Sequence, residues 1–405
     1  MGQQRQALII GAGVAGPVLA VFLKRVGIDC QIFEALPAIS DSGGALGIAA
    51  NGMAVLADAG VAELLRDVSV STGELRFENQ SGGVLAVAPA VDARRYGQTG
   101  ISITRAALHR VLVEYAERQG IAVQYGKRLV RIEDEANRPA AAVFADGSSE
   151  EGDLIVGADG IRSQVRQTVM PDAGGPAYTG MMTLSGFSPC AEQGVVARSS
   201  QPMHFVFGQK AFFGYFNTVT PEGPRTVWWS TFAAPLAAKD EMKQATAAEL
   251  RKRLMELHGD WAAPVPNLIG DAPQLLGLAI HDVPSLPRWN AGRTVLIGDA
   301  AHAVAPHSGQ GASMALEDAQ MLALLLRDGL ENPGEVFRKF EHLRRPRTNK
   351  VIAMGRRNAQ RKEEMPRAAY WIQQQVMRVV IPLAFGRAQD WLLRYRVEDQ
   401  LRKSK

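Results

Sequence analysis

The segment Gly11-Ala12-Gly13-Val14-Ala15-Gly16 joins an apolar run, ALII, to a helix-like stretch, VAGPVLAVFLKRVG, and a second apolar run, CQIFEA, follows. Glycines at these three spacings in a strand-to-helix turn leave few folds open. The first permits the tight turn, the second lets the backbone approach a pyrophosphate, and the third lets the helix lie close on the strand. The helix start, with Val14 and Ala15 in its first turn, offers unpaired N–H groups and a positive dipole end to phosphate oxygens. Glu34 stands 18 residues after Gly16, next to Ala35, at the end of the second strand. A carboxylate there can accept ribose hydroxyls and opposes a ribose 2′-phosphate. The turn therefore reads as a site for FAD or NAD, not NADP.

The remainder of the chain alternates in texture. Helical periodicity recurs in MAVLADAGVAELLRD and AALHRVLVEYAERQG, the latter followed by a strand-like IAVQYG. From about residue 178 to 285 short aromatic and β-branched runs (MHFVFG, AFFGYFNTV, RTVWWSTFA) are separated by turn signals such as PEGP. The strand RTVLIGD then returns to the first texture. The expected fold is α/β: a discontinuous, doubly wound, Rossmann-like dinucleotide-binding domain with an inserted, mainly antiparallel β-sheet substrate domain and a C-terminal helix. The boundaries fall at 1–71, 98–177 and 286–350 for the first domain, 72–97 and 178–285 for the second, and 351–405 for the helical end.

Two cysteines, Cys30 and Cys190, in 405 residues build neither a disulfide framework nor a metal site. The start shows no signal-peptide pattern, and Gln6 breaks a myristoylation motif. No run reaches the roughly 18 apolar residues of a membrane span. The nearest, VMRVVIPLAFG, carries Arg378 and Pro382. A cytoplasmic protein with no nucleic-acid partner is expected. The net charge is +4, and much of the excess lies between Arg338 and Arg367. That cluster reads as a solvated helical face, with attraction of an anionic ligand, NADPH or a membrane surface as the alternative.

Two further motifs separate FAD from NAD. One is DLIVGADGIRSQVRQ, with Asp159, Gly160, Ser163 and Arg166. The other is RTVLIGDAAHAVAPHSGQGASMALEDA, with Gly298, Asp299, His302, Pro306, Gly309, Gly311, Ala312 and Glu317. Together with GAGVAG, these resemble the three signatures of the single-component FAD-dependent aromatic hydroxylases, the para-hydroxybenzoate hydroxylase family. Its tetracycline-inactivating and salicylate-hydroxylase-like members are included in the likeness, which spans about residues 5–350. GGALGIAANGMAVLADAG, with Gly47, resembles the family's loop and helix after the second strand. The resemblance makes Arg105 a flavin contact and adds Val130 to the cofactor-binding set. One departure is Ser313, where the family commonly has Asn.

The physics of the last motif agrees. Asp299 at a strand end can bind ribityl hydroxyls, and Gly309 and Gly311 let the backbone approach the ring. The helix that follows points its N-terminus at the flavin, where it stabilises negative charge on the reduced ring by about 0.3–2 kcal/mol. The resemblance implies a monooxygenase in which NADPH or NADH reduces FAD and O2 adds to form a flavin C4a-hydroperoxide. One oxygen atom then passes to an aromatic, phenolic or polyketide-like molecule. Since the cofactor carries the chemistry, no catalytic residue is assigned and no metal is expected. A halogenase, a lipid reductase or a non-catalytic FAD-bound protein on the same fold is the alternative.

For the substrate pocket, period-2 alternation puts Phe205 with Phe207 and Phe213 with Tyr215, and sets Trp228 opposite Trp229. Phe205, Phe207, Phe213, Tyr215, Trp228 and His307 are the candidates, core packing being the competing reading for each. His302 reads as structural, as does His204. Arg162 and Arg166 are either solvated or dock NAD(P)H. The helix after Met365 either braces the two domains or forms a surface or dimer helix, in a monomer or a homodimer.

Overall fold

The strand Gln6–Ile10, with almost no exposed surface from Ala7 onward, is the centre from which the first layer is built. The computed structural model describes residues 5–39, 43–89, 93–135, 138–190, 192–329, 332–359 and 364–404, the side chains of 239, 240, 243, 307, 329, 358 and 359 excepted. Gln6–Ile10 pairs in parallel with Asp29–Phe33 on one side and Leu154–Gly157 on the other. Ala122–Gln124 extends the sheet beyond Asp29–Phe33, and Thr294–Leu296 extends it beyond Leu154–Gly157, both in parallel. The short strand Asn290–Ala291 closes that edge antiparallel. Strands buried on both faces read as unbroken apolar runs, which is why ALII and LIVG lack alternation.

The helices Ala15–Arg25 and Gly311–Gly329 lie against each other and share the core with this sheet. A small sheet of Leu129–Glu133, Ala140–Phe144 and Ser149–Gly152 joins the same core, where Phe33 stacks on Phe144 at 4.8 Å.

The second sheet is the larger. Its order is Leu275–Asp282, Ala177–Pro189, Gly223–Ala233, Ala211–Thr220, Ser200–Phe207, Val70–Asn79, Ile101–Thr104 and Ala45–Ile48, with Val84–Pro89 also paired to Val70–Asn79. All pairings are antiparallel except Ser200–Phe207 with Val70–Asn79. The mixed α/β architecture expected from the sequence is what the chain adopts. Two strands depart from the expected division. Ala45–Ile48 and Ile101–Thr104 fall in the cofactor part by sequence, yet they hydrogen-bond into the edge of the large sheet. Each has only four residues, too few to show which neighbour it will pair with. The sheet consequently runs to the rim of the cofactor cleft.

One face of the large sheet is sealed by helices Ala238–Gln244, Ala247–His258 and Val265–Asp271, over Leu184, Phe213, Trp228, Leu254 and Trp261. The chain ends in the long helices Pro333–Ala359 and Arg367–Leu393 and the short Val397–Lys403. Arg367–Leu393 lays Phe385, Met377 and Ile381 against Phe77 and Leu85, and Tyr370 Oη donates to the Phe207 carbonyl at 2.6 Å. Near its other end, Asp390 accepts from Arg95 and from the Tyr96 hydroxyl, each at 2.7 Å.

Candidate active site

The three glycines of the first turn do three separable things. Gly11 has φ +108°, and a Cβ there would lie 2.5 Å from the Ala158 carbonyl oxygen. A Cβ on Gly16 would fall 2.1 Å from the Gly11 oxygen, so the helix can cross the strand this closely only with glycine. Gly13 is different: among the described residues a Cβ there meets nothing within 4 Å. The space beside it is open, as the approach of a phosphate requires. No side chain caps the helix at Val14, which leaves its first N–H groups for an anion. Glu34 borders the same turn. Its Oε2 accepts the Ala12 N–H at 2.9 Å and its Oε1 the Leu36 N–H at 2.9 Å.

The second motif flanks the first, Ala158 being the residue that Gly11 grazes. Asp159 accepts the Val165 N–H through Oδ2 at 3.0 Å, while Oδ1 is buried with no partner among the described residues. Burial pushes its pKa up, opposed by the hydrogen bond from Ser163. Ser163 also caps the helix Gln164–Val169. Arg166, open between two readings by sequence, is neither solvated nor in the cleft. It is 1% exposed and donates to the carbonyls of Ala300 and Ile161, each at 2.7 Å, tying this motif to the next.

Gly298 turns the chain with φ +58° and delivers Asp299 to the cleft. The Asp299 carboxylate opens to the cleft but is enclosed by protein on its other sides. Burial raises its pKa, partly offset by the positive charge of His302 and of Arg105, the first residue of the helix Arg105–Arg118. After the turn Pro306–Ser308 and the left-handed Gly309 (φ +61°), the helix begins at Gly311, whose Cβ position is 3.9 Å from Asp299 Oδ1. A carboxylate and a helix N-terminus thus share one corner of the cleft. The His307 side chain lies outside the described residues, so that candidate has no placement. Ala312 follows Gly311 in the first helical turn. Gly47 faces Met203 of the large sheet, whose methyl is 3.4 Å from the Gly47 Cβ position. Val130 is exposed beside an irregularity in the small sheet.

Behind Asp299 is a charged network that the sequence did not disclose. Arg344 is fully buried and bonds Asp318 at 2.6 Å and Glu317 at 2.7 Å. Arg347 grips both oxygens of Glu317 at 2.8 Å and reaches the Leu392 carbonyl at 2.8 Å. Asn51 donates to Glu317 at 2.7 Å and to Gln310 at 3.1 Å. Burial pushes the Asp318 pKa up, but His302 and Arg344 outweigh it and hold it near 2. The basic cluster from Arg338 to Arg367 is therefore not simply a solvated face. Two of its arginines turn inward because Glu317 and Asp318 on the preceding helix need partners.

The other wall of the cleft is the inner face of the large sheet. Ala305 touches Met181 and Ile280, which fixes the face that meets the loop before Gly311. Alternation along the paired strands places Thr183, Thr231, Ala233 and Trp229 on that face. Thr183 and Thr231 share a hydroxyl hydrogen bond at 2.8 Å. Phe205 and Phe212 lean on Trp229, while Phe205 and Phe207 also join Phe77 in the cluster beneath the helix Arg367–Leu393. Three pocket candidates fall on the opposite face. Phe213 and Trp228 stack at 5.4 Å with no exposed surface, and Tyr215 stacks on His204 at 4.2 Å. Rings closed beneath helices cannot meet a small molecule in the cleft, so Phe213, Tyr215 and Trp228 are core. Trp229 and Phe212 lie on the other face, the one that Ala305 meets. Strand alternation could pair these residues but could not say which face was covered.

An open approach at Gly13, an uncapped helix start, an unpartnered Asp159 oxygen and Asp299 beside a second helix N-terminus together suit a long, anionic, dinucleotide-type ligand. The sequence matches the family described as "FAD binding domain" over residues 4–354, and the chain belongs to it. It is 32% identical over 359 residues to 3-amino-4-hydroxybenzoate 2-monooxygenase of Streptomyces cremeus, covering 87% of this chain and 86% of that protein. It is 30% identical to FAD-dependent urate hydroxylase of Klebsiella pneumoniae, covering 87% of this chain and 89% of the relative. The structure of Klebsiella pneumoniae HpxO complexed with FAD and uric acid superimposes with a TM-score of 0.83 at 25% identity, over 96% of each chain. The protein is a flavin-dependent monooxygenase. Among the described residues no helix is long and apolar enough to cross a membrane, and no cluster of His, Cys, Asp and Glu could hold a metal ion.

Proposed function

We propose that this monooxygenase uses NADPH or NADH and O2 to hydroxylate a small aromatic or heteroaromatic ring held between the cofactor cleft and the inner face of the large sheet. The single observation that supports this reading most is that Ala305, in the loop before the Gly311 helix, touches Met181 and Ile280 on the face of the large sheet that also carries Trp229 and the Thr183–Thr231 hydroxyl pair. FAD, when bound, accepts reducing equivalents and activates oxygen; the protein supplies placement and exclusion of water.

In this reading the pyrophosphate lies against Gly11, Gly13 and the helix start at Val14 and Ala15, as the open space at Gly13 favours. Glu34, with Ala35 beside it, holds the adenosine ribose, and Val130 borders the adenine. Asp159 and Asp299 take the hydroxyls between pyrophosphate and ring, Asp159 with its unpartnered oxygen. Gly298, Pro306, Gly309, Gly311 and Ala312 line the ring, and Gly47 and Arg105 close over it. The helix dipole from Gly311 stabilises negative charge there. Flat aromatic walls hold a ring by its faces, and the threonine pair orients a hydroxyl or carbonyl on it.

The test is direct. The FAD-loaded protein is assayed for NAD(P)H oxidation across a panel of phenols, hydroxypyridines and fused heteroaromatics, with product mass measured under 18O2. A product gaining one labelled oxygen atom supports the reading. Chlorination, double-bond reduction, or no stimulated oxidation by any member of the panel would count against it.

A further inference from the structure

The helix Arg367–Leu393 is apolar on two sides, and among the described residues only one side is covered. Tyr370, Met377, Ile381 and Phe385 face the protein. On a helical projection Ile372, Val376, Val379, Val380 and Leu383 fall within an arc of about 100° on the opposite side, with Trp371 about 80° beyond its edge on one flank. These six side chains are 49–76% exposed, whereas single exposed apolar residues elsewhere are scattered. The stripe runs about 18 Å along the helix.

Charge decides what covers it. Arg367, Arg378 and Arg387 occur along this stretch, and no acidic residue stands between Glu364 and Asp390. Asp390 is engaged by Arg95 and Tyr96. On the same projection Arg387 falls within the arc while Arg367 and Arg378 lie on the flank beside the protein-facing side, so a second copy paired through the stripe would offer Arg387 no carboxylate. An anionic lipid surface matches both features: acyl chains take the apolar stripe, and headgroup phosphates take Arg387 within it and Arg378 on the flank, where Trp371 lies beside Arg378. The helix carries Arg378 and Pro382 in its middle and does not meet the length and apolarity of a span.

We propose that the outer face of Arg367–Leu393 docks this enzyme on an anionic membrane surface, the helix lying in the interfacial plane. The docked face is opposite the side that packs on Phe77 and Leu85, so the cofactor cleft is not obstructed.

The full-length, FAD-loaded protein is floated with vesicles of phosphatidylcholine alone or of phosphatidylcholine with phosphatidylglycerol. Binding is expected only with the anionic vesicles and is weakened by salt. The double variant V376D/L383D is expected to lose binding by more than about tenfold, and R387Q by roughly fivefold. Flavin absorbance and melting temperature should remain as in the parent, since none of these side chains touches the cleft or the core. Equal binding to both vesicle types, or to neither, overturns the proposal. So does a concentration-dependent dimer that V376D/L383D converts to monomer, which would assign the stripe to a second copy.

Discussion

Asp318 Oδ2 accepts the backbone N–H of Gly298 at 2.9 Å, fixing the turn that presents Asp299 to a residue one helix away. The same oxygen lies 2.5 Å from His302 Nε2, and the other oxygen takes Arg344. Geometry at the cleft thus depends on a carboxylate that does not reach it. Replacing Asp318 by Asn leaves Arg344 short of a counter-charge in a fully buried site, at a cost of about 3–5 kcal/mol. The expected outcome for Asp318→Asn is a large drop in melting temperature together with weaker FAD retention on gel filtration. If FAD retention falls with no change in melting, the network is not structural.

The glycines of the first turn separate fold from cofactor. Gly13→Val adds a side chain to open space, so the apoprotein should melt near the parent temperature. The same side chain would occupy the phosphate approach, and the purified protein should be colourless. Gly16→Ala places its Cβ against the Gly11 carbonyl and should destabilise the apoprotein by about 1–3 kcal/mol or more. Flavin absorbance at purification and apoprotein melting together check both outcomes.

How much of this was legible in the sequence depends on how local the physics is. The glycine turn, Glu34 and the Asp299 motif are readable because each needs particular residues at fixed spacing within one strand–turn–helix unit. Arg344 and Arg347 look like surface charges in RKFEHLRRPRTNK, because a buried ion pair has no periodicity of its own. Their partners, Glu317 and Asp318, lie almost 30 residues earlier, and only folding brings them together. Ala45–Ile48 and Ile101–Thr104 escaped for a related reason: a four-residue strand takes its identity from its neighbour. Trp228 and Trp229 show the limit of alternation, since adjacent residues must face opposite ways but the pattern names neither face.

That last pair gives a direct comparison. Trp229→Ala opens the cleft wall and is expected to raise KM for substrate-stimulated NAD(P)H oxidation tenfold or more, estimating about 1.4 kcal/mol of lost aromatic contact. Its melting temperature should fall only modestly, because the ring is partly exposed. Trp228→Ala removes a fully buried ring stacked on Phe213 and bonded to Ser188 Oγ at 2.9 Å. It should cost about 3–5 kcal/mol of stability. Whatever folded protein remains should keep an ordinary KM. The reverse pattern would mean that the two faces are assigned wrongly.

His258 gives the enzyme a stability limit on the acid side. Its ring is buried under the large sheet between Phe213 and Trp261, with Nε2 2.7 Å from Ser230 Oγ. Burial lowers its pKa from the ordinary 6.5 to about 3, so the folded protein holds it neutral. The unfolded chain binds a proton there once pH falls below about 6.5, while the folded chain does not until about 3. Between these values the unfolded state carries more protons, and stability falls as pH falls, by up to about 1.4 kcal/mol per pH unit from this group. Above about 6.5 the group contributes no pH dependence. His258→Gln keeps a partner for Ser230 and cannot titrate. Urea unfolding at a series of pH values should show a shallower acid loss for the variant than for the parent, with the difference vanishing near neutrality. Parallel curves across the whole range would rule out His258 as the group responsible.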